Sequence, residues 1–143
     1  MGRIVGLDVG RKRTGIAATD PLRIIPSAIG YFPTHQVAEW LVEYCTKEQV
    51  DLLVVGYPKQ ANNKESESMK YIRPVMNRIR KLLPDLEILP YDERYTSVMA
   101  QRTILESGIG KMARREKGLV DEVSAVILLQ GFMESKLYLE EYK

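Results

Sequence analysis

Apolar positions along the chain change period several times, and the changes mark out its elements. Arg3 to Val9 is a short β-branched apolar run closed by a glycine, a pattern that predicts a buried strand. After the basic turn Gly10 to Thr14, Gly15 to Thr19 predicts a second strand, and Asp20-Pro21 ends it in a turn. Ile24 to Phe32, interrupted by Pro26 and closed by Pro33, suits an edge strand, because proline cannot donate to a ladder. Three antiparallel strands should therefore open the fold.

From Thr34, a possible N-cap, the period becomes helical, with Val37, Leu41, Tyr44 and Cys45 on one stripe. Asp51 to Gly56 is an uninterrupted apolar run, the mark of a central parallel strand covered on both faces. Met69, Ile72, Met76, Ile79 and Leu83 then hold a second helix until Pro84, with Pro74 expected to bend it. Leu86 to Tyr91 predicts another strand. A third helix is expected from a cap at Thr96 or Ser97 to about Gly108, and a fourth from Val120 to about Leu139. This order predicts a single α/β domain over 1–143, its mixed sheet made of three antiparallel strands followed by parallel ones and flanked by helices. Ligands of such sheets gather at the carboxyl ends of the strands.

Composition narrows the classes. At 143 residues the chain is too short for a bilobal enzyme, and 45% hydrophobic with 28% charged residues is the balance of a globular protein. The net charge is only +2, so a polyanionic partner must be held by local clusters. Cys45 is the only cysteine, which excludes an internal disulfide and a cysteine-based zinc cage and suits a reducing compartment. The start runs directly into a strand pattern, and nowhere do eighteen apolar residues follow one another, so the expected location is the cytoplasm, with no membrane partner.

Three acidic positions stand where a ligand would bind: Asp8 near the end of the first strand, Asp92-Glu93 just after the last, and Asp121 at the start of the final helix. Asp8 interrupts an apolar run, where desolvating a carboxylate costs several kcal/mol, roughly, unless it is paired or metal-bound. Ser124, Ala125 and Leu128 share Asp121's helix face, and the small residues among them allow close approach to the sheet. Oxygen ligands from separate elements, without a cysteine set and with a single histidine, favour Mg²⁺ or Mn²⁺ over zinc. Two such ions about 4 Å apart could activate water and stabilise the leaving oxygen of a phosphodiester. Each acid also has a plain structural reading: Asp8 as a turn residue, Asp121 as a partner of the helix dipole, Asp92 and Glu93 as ion-pair partners of Arg94.

Cations border these acids. Arg11, Lys12 and Arg13 fill the glycine-flanked turn beside Asp8, as a phosphate-contacting loop requires, with a plain solvated hairpin turn as the alternative, and Lys111, Arg114, Arg115 and Lys117 precede Asp121. The charges of the second helix suit a solvated face instead. His35 receives no role, and Trp40, Tyr44, Met69 and Met76 fit core packing rather than a ladder for stacking bases.

GLDVGRKRTGIAATDP, VVGYP, DERYTS and VDEVSAVILLQGFME follow one another in an order and spacing that resemble the YqgF/RuvX family, over nearly the whole chain. That family holds proposed Holliday junction resolvases and nucleases that mature the precursor of small-subunit ribosomal RNA. The resemblance implies an RNase H-like fold and an acidic, metal-dependent site. Carried over by position, its acids fall on Asp8, Glu93 and Asp121, with Asp92 the rival for the second place. Arg94, Thr96 and Ser97 would position substrate or carboxylates, and Arg11 and Arg13 lie in the matching glycine loop. After VVGYP the family's loop resembles LNMDG, whereas this chain reads Lys59-Gln60-Ala61-Asn62-Asn63 and lacks the acid.

The implied activity is phosphodiester hydrolysis on structured nucleic acid, with precursor 16S ribosomal RNA ahead of branched DNA; a resolvase would act as a homodimer, whereas RNA trimming could be done by a monomer. Two other classes compete. A noncatalytic ribosome-assembly factor would bind RNA without turnover. An ATP phosphotransferase would use Asp8, Gly10 and Gly15 as its phosphate loop, but the chain is short for the two lobes such enzymes close.

Overall fold

The computed structural model describes residues 2–57, 69–92, 117–135 and 138–142, in backbone only at 92, 117–122, 141 and 142. Five strands, β1 (Arg3–Val9), β2 (Arg13–Thr19), β3 (Pro26–Pro33), β4 (Val50–Tyr57) and β5 (Glu87–Asp92), form one sheet in the order β3-β2-β1-β4-β5. β1, β2 and β3 pair antiparallel, and β4 and β5 join parallel to β1. The expected mixed sheet is present, with β1 at its centre and the proline-bounded β3 at its edge, where missing N–H donors cost least.

Strand alternation divides the core into two layers. Val5, Leu7 and Val9 of β1, with Leu53 and Val55 of β4, face α1 (Val37–Lys47) and α2 (Met69–Leu82), which contribute Val37, Leu41, Ile72, Met76 and Ile79. On the other face Ile4, Ala17, Leu52 and Val54 meet α3 (Lys117–Met133) through Ala125, Leu128, Leu129 and Phe132. Each fully buried Leu, Ile or Phe is worth about 1.5–3 kcal/mol relative to exposure, so both layers are needed to hold a strand that is apolar on two sides. Trp40 packs as expected, stacked on Tyr44 with centroids 4.9 Å apart and tilted against Phe32 at 5.3 Å.

Several boundaries differ from the sequence reading. β2 begins at Arg13, because the turn is closed by a bond from Gly10 N to Arg13 O at 2.9 Å and pairing starts immediately. α3 begins at Lys117 and stops at Met133 rather than near Leu139. Ser135 Oγ donates to Phe132 O and accepts from Tyr138 N at 3.2 Å, turning the chain so that a π-helical turn, Tyr138–Tyr142, lays Tyr138 against Phe132. α2 continues through Pro74. The third helix expected from Thr96 or Ser97 lies outside the described residues.

The turn after β2 forms as Asp20-Pro21 suggested: the Asp20 carboxylate accepts from the N–H groups of Ile24, Ile25 and Leu22 at 2.7, 2.9 and 3.2 Å. At the same end of the sheet Arg23, in the left-handed region at φ 57°, donates to Gly2 O and to Asp51, each at 2.9 Å. This clasp ties the start of β1 to the start of β4. No helix among the described residues is long and apolar enough to cross a membrane.

Candidate functional site

Asp8 is the penultimate residue of the central strand, at the edge where β1, β4 and β5 all end. Alternation places it with Ile4 and Gly6 on the face covered by α3, and it is half-buried there. The residue directly opposite on β2 is Gly15, which has no side chain.

The course of α3 follows from its contacts. Leu129 lies over Gly6, while Gln130, Met133 and Glu134 share a cleft with Arg23, Ile24 and Pro26 near the start of β1. α3 therefore runs antiparallel to β1, with its N-terminal turns towards the Asp8 end. Ser124 lies five residues before Leu129, about 7.5 Å of helix towards that end, as Asp8 lies two residues beyond Gly6, about 6.7 Å of strand. Asp121 is one turn further along the same helix. Ser124 is fully buried, and its Oγ has no hydrogen-bond partner among the described residues. An unsatisfied buried hydroxyl costs about 1–3 kcal/mol, which singles this position out from the apolar contacts around it.

The basic turn is built beside Asp8. A Cβ on Gly10 would fall 2.5 Å from Arg13 O, so the closing bond of the turn requires glycine. Arg11 and Lys12 are exposed and Arg13 is half-buried. The turn is held from a distance by Thr34, whose Oγ1 donates to Gly10 O at 2.6 Å and lies 3.0 Å from Thr14 Oγ1, while Thr34 N donates to Lys12 O at 3.0 Å. A carbonyl can only accept, so Thr34 spends its one proton on Gly10 and Thr14 must donate to Thr34. The expected N-cap role is not what Thr34 does: Thr34–Gln36 form a single 3₁₀ turn, and Gln36 caps α1 without a side-chain bond. A partner 24 residues away leaves no local mark in the sequence, which is why the anchor was not legible there.

Of the other residues singled out by sequence, Asp121 is described in backbone only, within α3, and Asp92 likewise ends β5. Glu93, Arg94, Thr96, Ser97, Lys111, Arg114 and Arg115 lie outside the described residues, as does the Lys59–Asn63 loop. Among the described side chains no three of His, Cys, Asp or Glu come together. Arg78 of α2 is ion-paired with Glu39 of α1, in keeping with a structural use of that helix's charges.

Comparison with known proteins agrees with this architecture. A provisionally named pre-16S rRNA nuclease of Porphyromonas gingivalis is 54% identical, covering 94% of this chain and 98% of its own, and one of Parabacteroides distasonis is 49% identical over 96% and 99%. Among solved structures, Thermus thermophilus RuvC in complex with a Holliday junction substrate superposes with a TM-score of 0.57 at 13% identity, covering 93% of this chain and 94% of that one, a likeness of fold. The model of the RuvX family, described as Holliday junction resolvase, matches residues 2–135, and the chain therefore belongs to the RuvX family of nucleases.

Proposed function

We propose that this protein is a metal-dependent endonuclease that processes the precursor of 16S ribosomal RNA in the cytoplasm, with Asp8, Glu93 and Asp121 as its metal ligands. The observation that carries the reading is the carboxylate of Asp8 at the end of the central strand, on the face that the Asp121 helix covers. The donor set fits a hard cation. Asp8 supplies an anionic oxygen, and the Oγ of Ser124, buried without a partner among the described residues towards the same end of α3, supplies a polar group that a hydrated ion could satisfy. Glu93 is preferred to Asp92 because it holds the place of the family's acid in the DERYTS motif.

When bound, Mg²⁺ or Mn²⁺ supplies Lewis-acid activation of water and neutralises charge on the departing oxygen. The protein's own part is positioning. Asp8 is fixed by a strand paired on both sides, and Arg11, Lys12 and Arg13 grip backbone phosphates next to it. Arg94, Thr96, Ser97, Lys111, Arg114 and Arg115 extend that contact along the nucleic acid. The choice of RNA rests on the names of the relatives at 54% and 49% identity. Resolution of branched DNA is the second reading, favoured by the description of the matching family.

The test is cleavage of a precursor 16S RNA fragment and of a four-way DNA junction, each with Mg²⁺ or Mn²⁺. Cutting of the RNA, lost at least 100-fold in Asp8→Asn together with Mn²⁺ binding by calorimetry, is the expected result. Cutting of the junction alone would replace the substrate. Binding of RNA without any turnover, or an Asp8→Asn protein that cuts normally, would overturn the nuclease assignment.

A further inference from the structure

Thr34 bonds to the β1–β2 turn through both its side chain and its main chain: its hydroxyl reaches Gly10 O, its N–H reaches Lys12 O, and it accepts from Thr14 Oγ1. These bonds fall on both sides of Arg11 and on the carbonyl of Lys12 itself. The Thr14–Thr34 bond is buried and the Thr34–Gly10 bond part-buried, where linked hydroxyls reinforce one another and losing their shared partner carries a cost. The two cations at the tip are exposed, so nothing but the turn's backbone decides where their side chains start.

We infer that Thr34 is a positioning residue for nucleic-acid binding: its hydroxyl fixes the Gly10–Thr14 turn so that Arg11 and Lys12 meet backbone phosphates in register with Asp8. The inference rests on the proposed phosphate contact of that turn, and nothing in the residue's own position requires it to touch substrate. Without the hydroxyl, Gly10 O and Thr14 Oγ1 lose a shared partner, the turn samples other geometries, and its cations no longer neutralise the same phosphates. Such a loosened grip shows in the salt dependence of binding, because each neutralised phosphate adds about 0.7–0.9 to the slope of log affinity against log salt.

Binding is measured by fluorescence anisotropy in EDTA, with a labelled hairpin from precursor 16S RNA and a labelled four-way DNA junction, so that cleavage plays no part. Thr34→Val should raise Kd at least fivefold and flatten the salt slope by about one phosphate, whereas Thr34→Ser, which keeps the hydroxyl, should stay within about twofold of the parent with an unchanged slope. Should Thr34→Val fail to fold, Thr34→Ala, smaller and with no methyl pressed on the carbonyl, takes its place. An unchanged Kd and slope in the valine or alanine variant, while Arg11→Gln/Lys12→Gln binds weakly, would overturn the role of Thr34 and leave the phosphate contact standing. Equal weakening in the valine and serine variants with the parent's slope would mark a merely structural residue and overturn it too. Parental binding by Arg11→Gln/Lys12→Gln would remove the phosphate contact itself, and the inference with it.

Discussion

Gly6 of β1 lies so close beneath Leu129 of α3 that a methyl group on it would fall 2.6 Å from Leu129 Cγ and 3.0 Å from Cδ2. Gly6 precedes Asp8 by two residues on the same face, so this contact sets how near the Asp121 helix comes to the carboxylate. Leu129 is fully buried and has nowhere to retreat. Gly6→Ala should cost about 1–3 kcal/mol through overpacking, and by lifting α3 it should slow cleavage more than tenfold while leaving nucleic-acid affinity nearly intact. Urea denaturation and single-turnover cleavage check both halves; a variant of parental stability would show that the helix yields freely.

Asp51 should make stability depend on pH at the acid end. Its carboxylate accepts from Gly2 N at 2.7 Å, Arg23 Nη2 at 2.9 Å and Gln49 Nε2 at 3.1 Å, and the Gly2 bond above all holds its pKa below the ordinary 3.8. A depressed carboxylate stabilises the fold fully above its unfolded pKa and loses that contribution as pH falls through the folded one. The side chain is 34% exposed, so the effect is modest, about 1 kcal/mol or less. Asp51→Asn should therefore be less stable than the parent at pH 6, with the gap closing below pH 3.8. Chemical denaturation at pH 6 and near pH 3 decides it; a gap of constant size would place the loss elsewhere. Because this clasp is at the opposite end of the strands from Asp8, cleavage should survive the change.

Cys45 should be a sluggish thiol. Burial in α1 pushes its pKa above the ordinary thiol value, which leaves less thiolate at neutral pH. Iodoacetamide should modify it more slowly than glutathione at pH 8, with a rate profile displaced to higher pH. Equal rates would mean that the helix surface opens around it.

Much of this was legible in the linear pattern. The apolar run Arg3 to Val9, interrupted by Asp8, already implied a buried strand with an acid near its end, and proline at 26 and 33 implied the sheet edge. Helical spacing gave α1 and α2, because their apolar stripes answer to local geometry. What stayed hidden depends on partners far along the chain. Thr34 reads as a helix cap until β1 and β2 bring Gly10 and Thr14 to it, and nothing near Arg23 in the sequence points to Asp51, 28 residues on. α3 reads past its true end because Tyr138 and Leu139 continue the apolar content, while the break is made by Ser135 bonding back to Phe132. Of the three proposed acids, Asp8 has a described side chain, whereas Glu93 and Asp121 rest on their places in the sequence pattern.

The placement of β1 between two paired neighbours, under helices on either side, has a bearing on how a substrate is accommodated. A strand with no free edge can release its amides only by an opening that parts the sheet in its middle, the most expensive fluctuation such a molecule has. The Asp8 carboxylate is thus mounted on the stiffest part of the framework, and on the proposed reading the adaptation between the two would fall to the substrate.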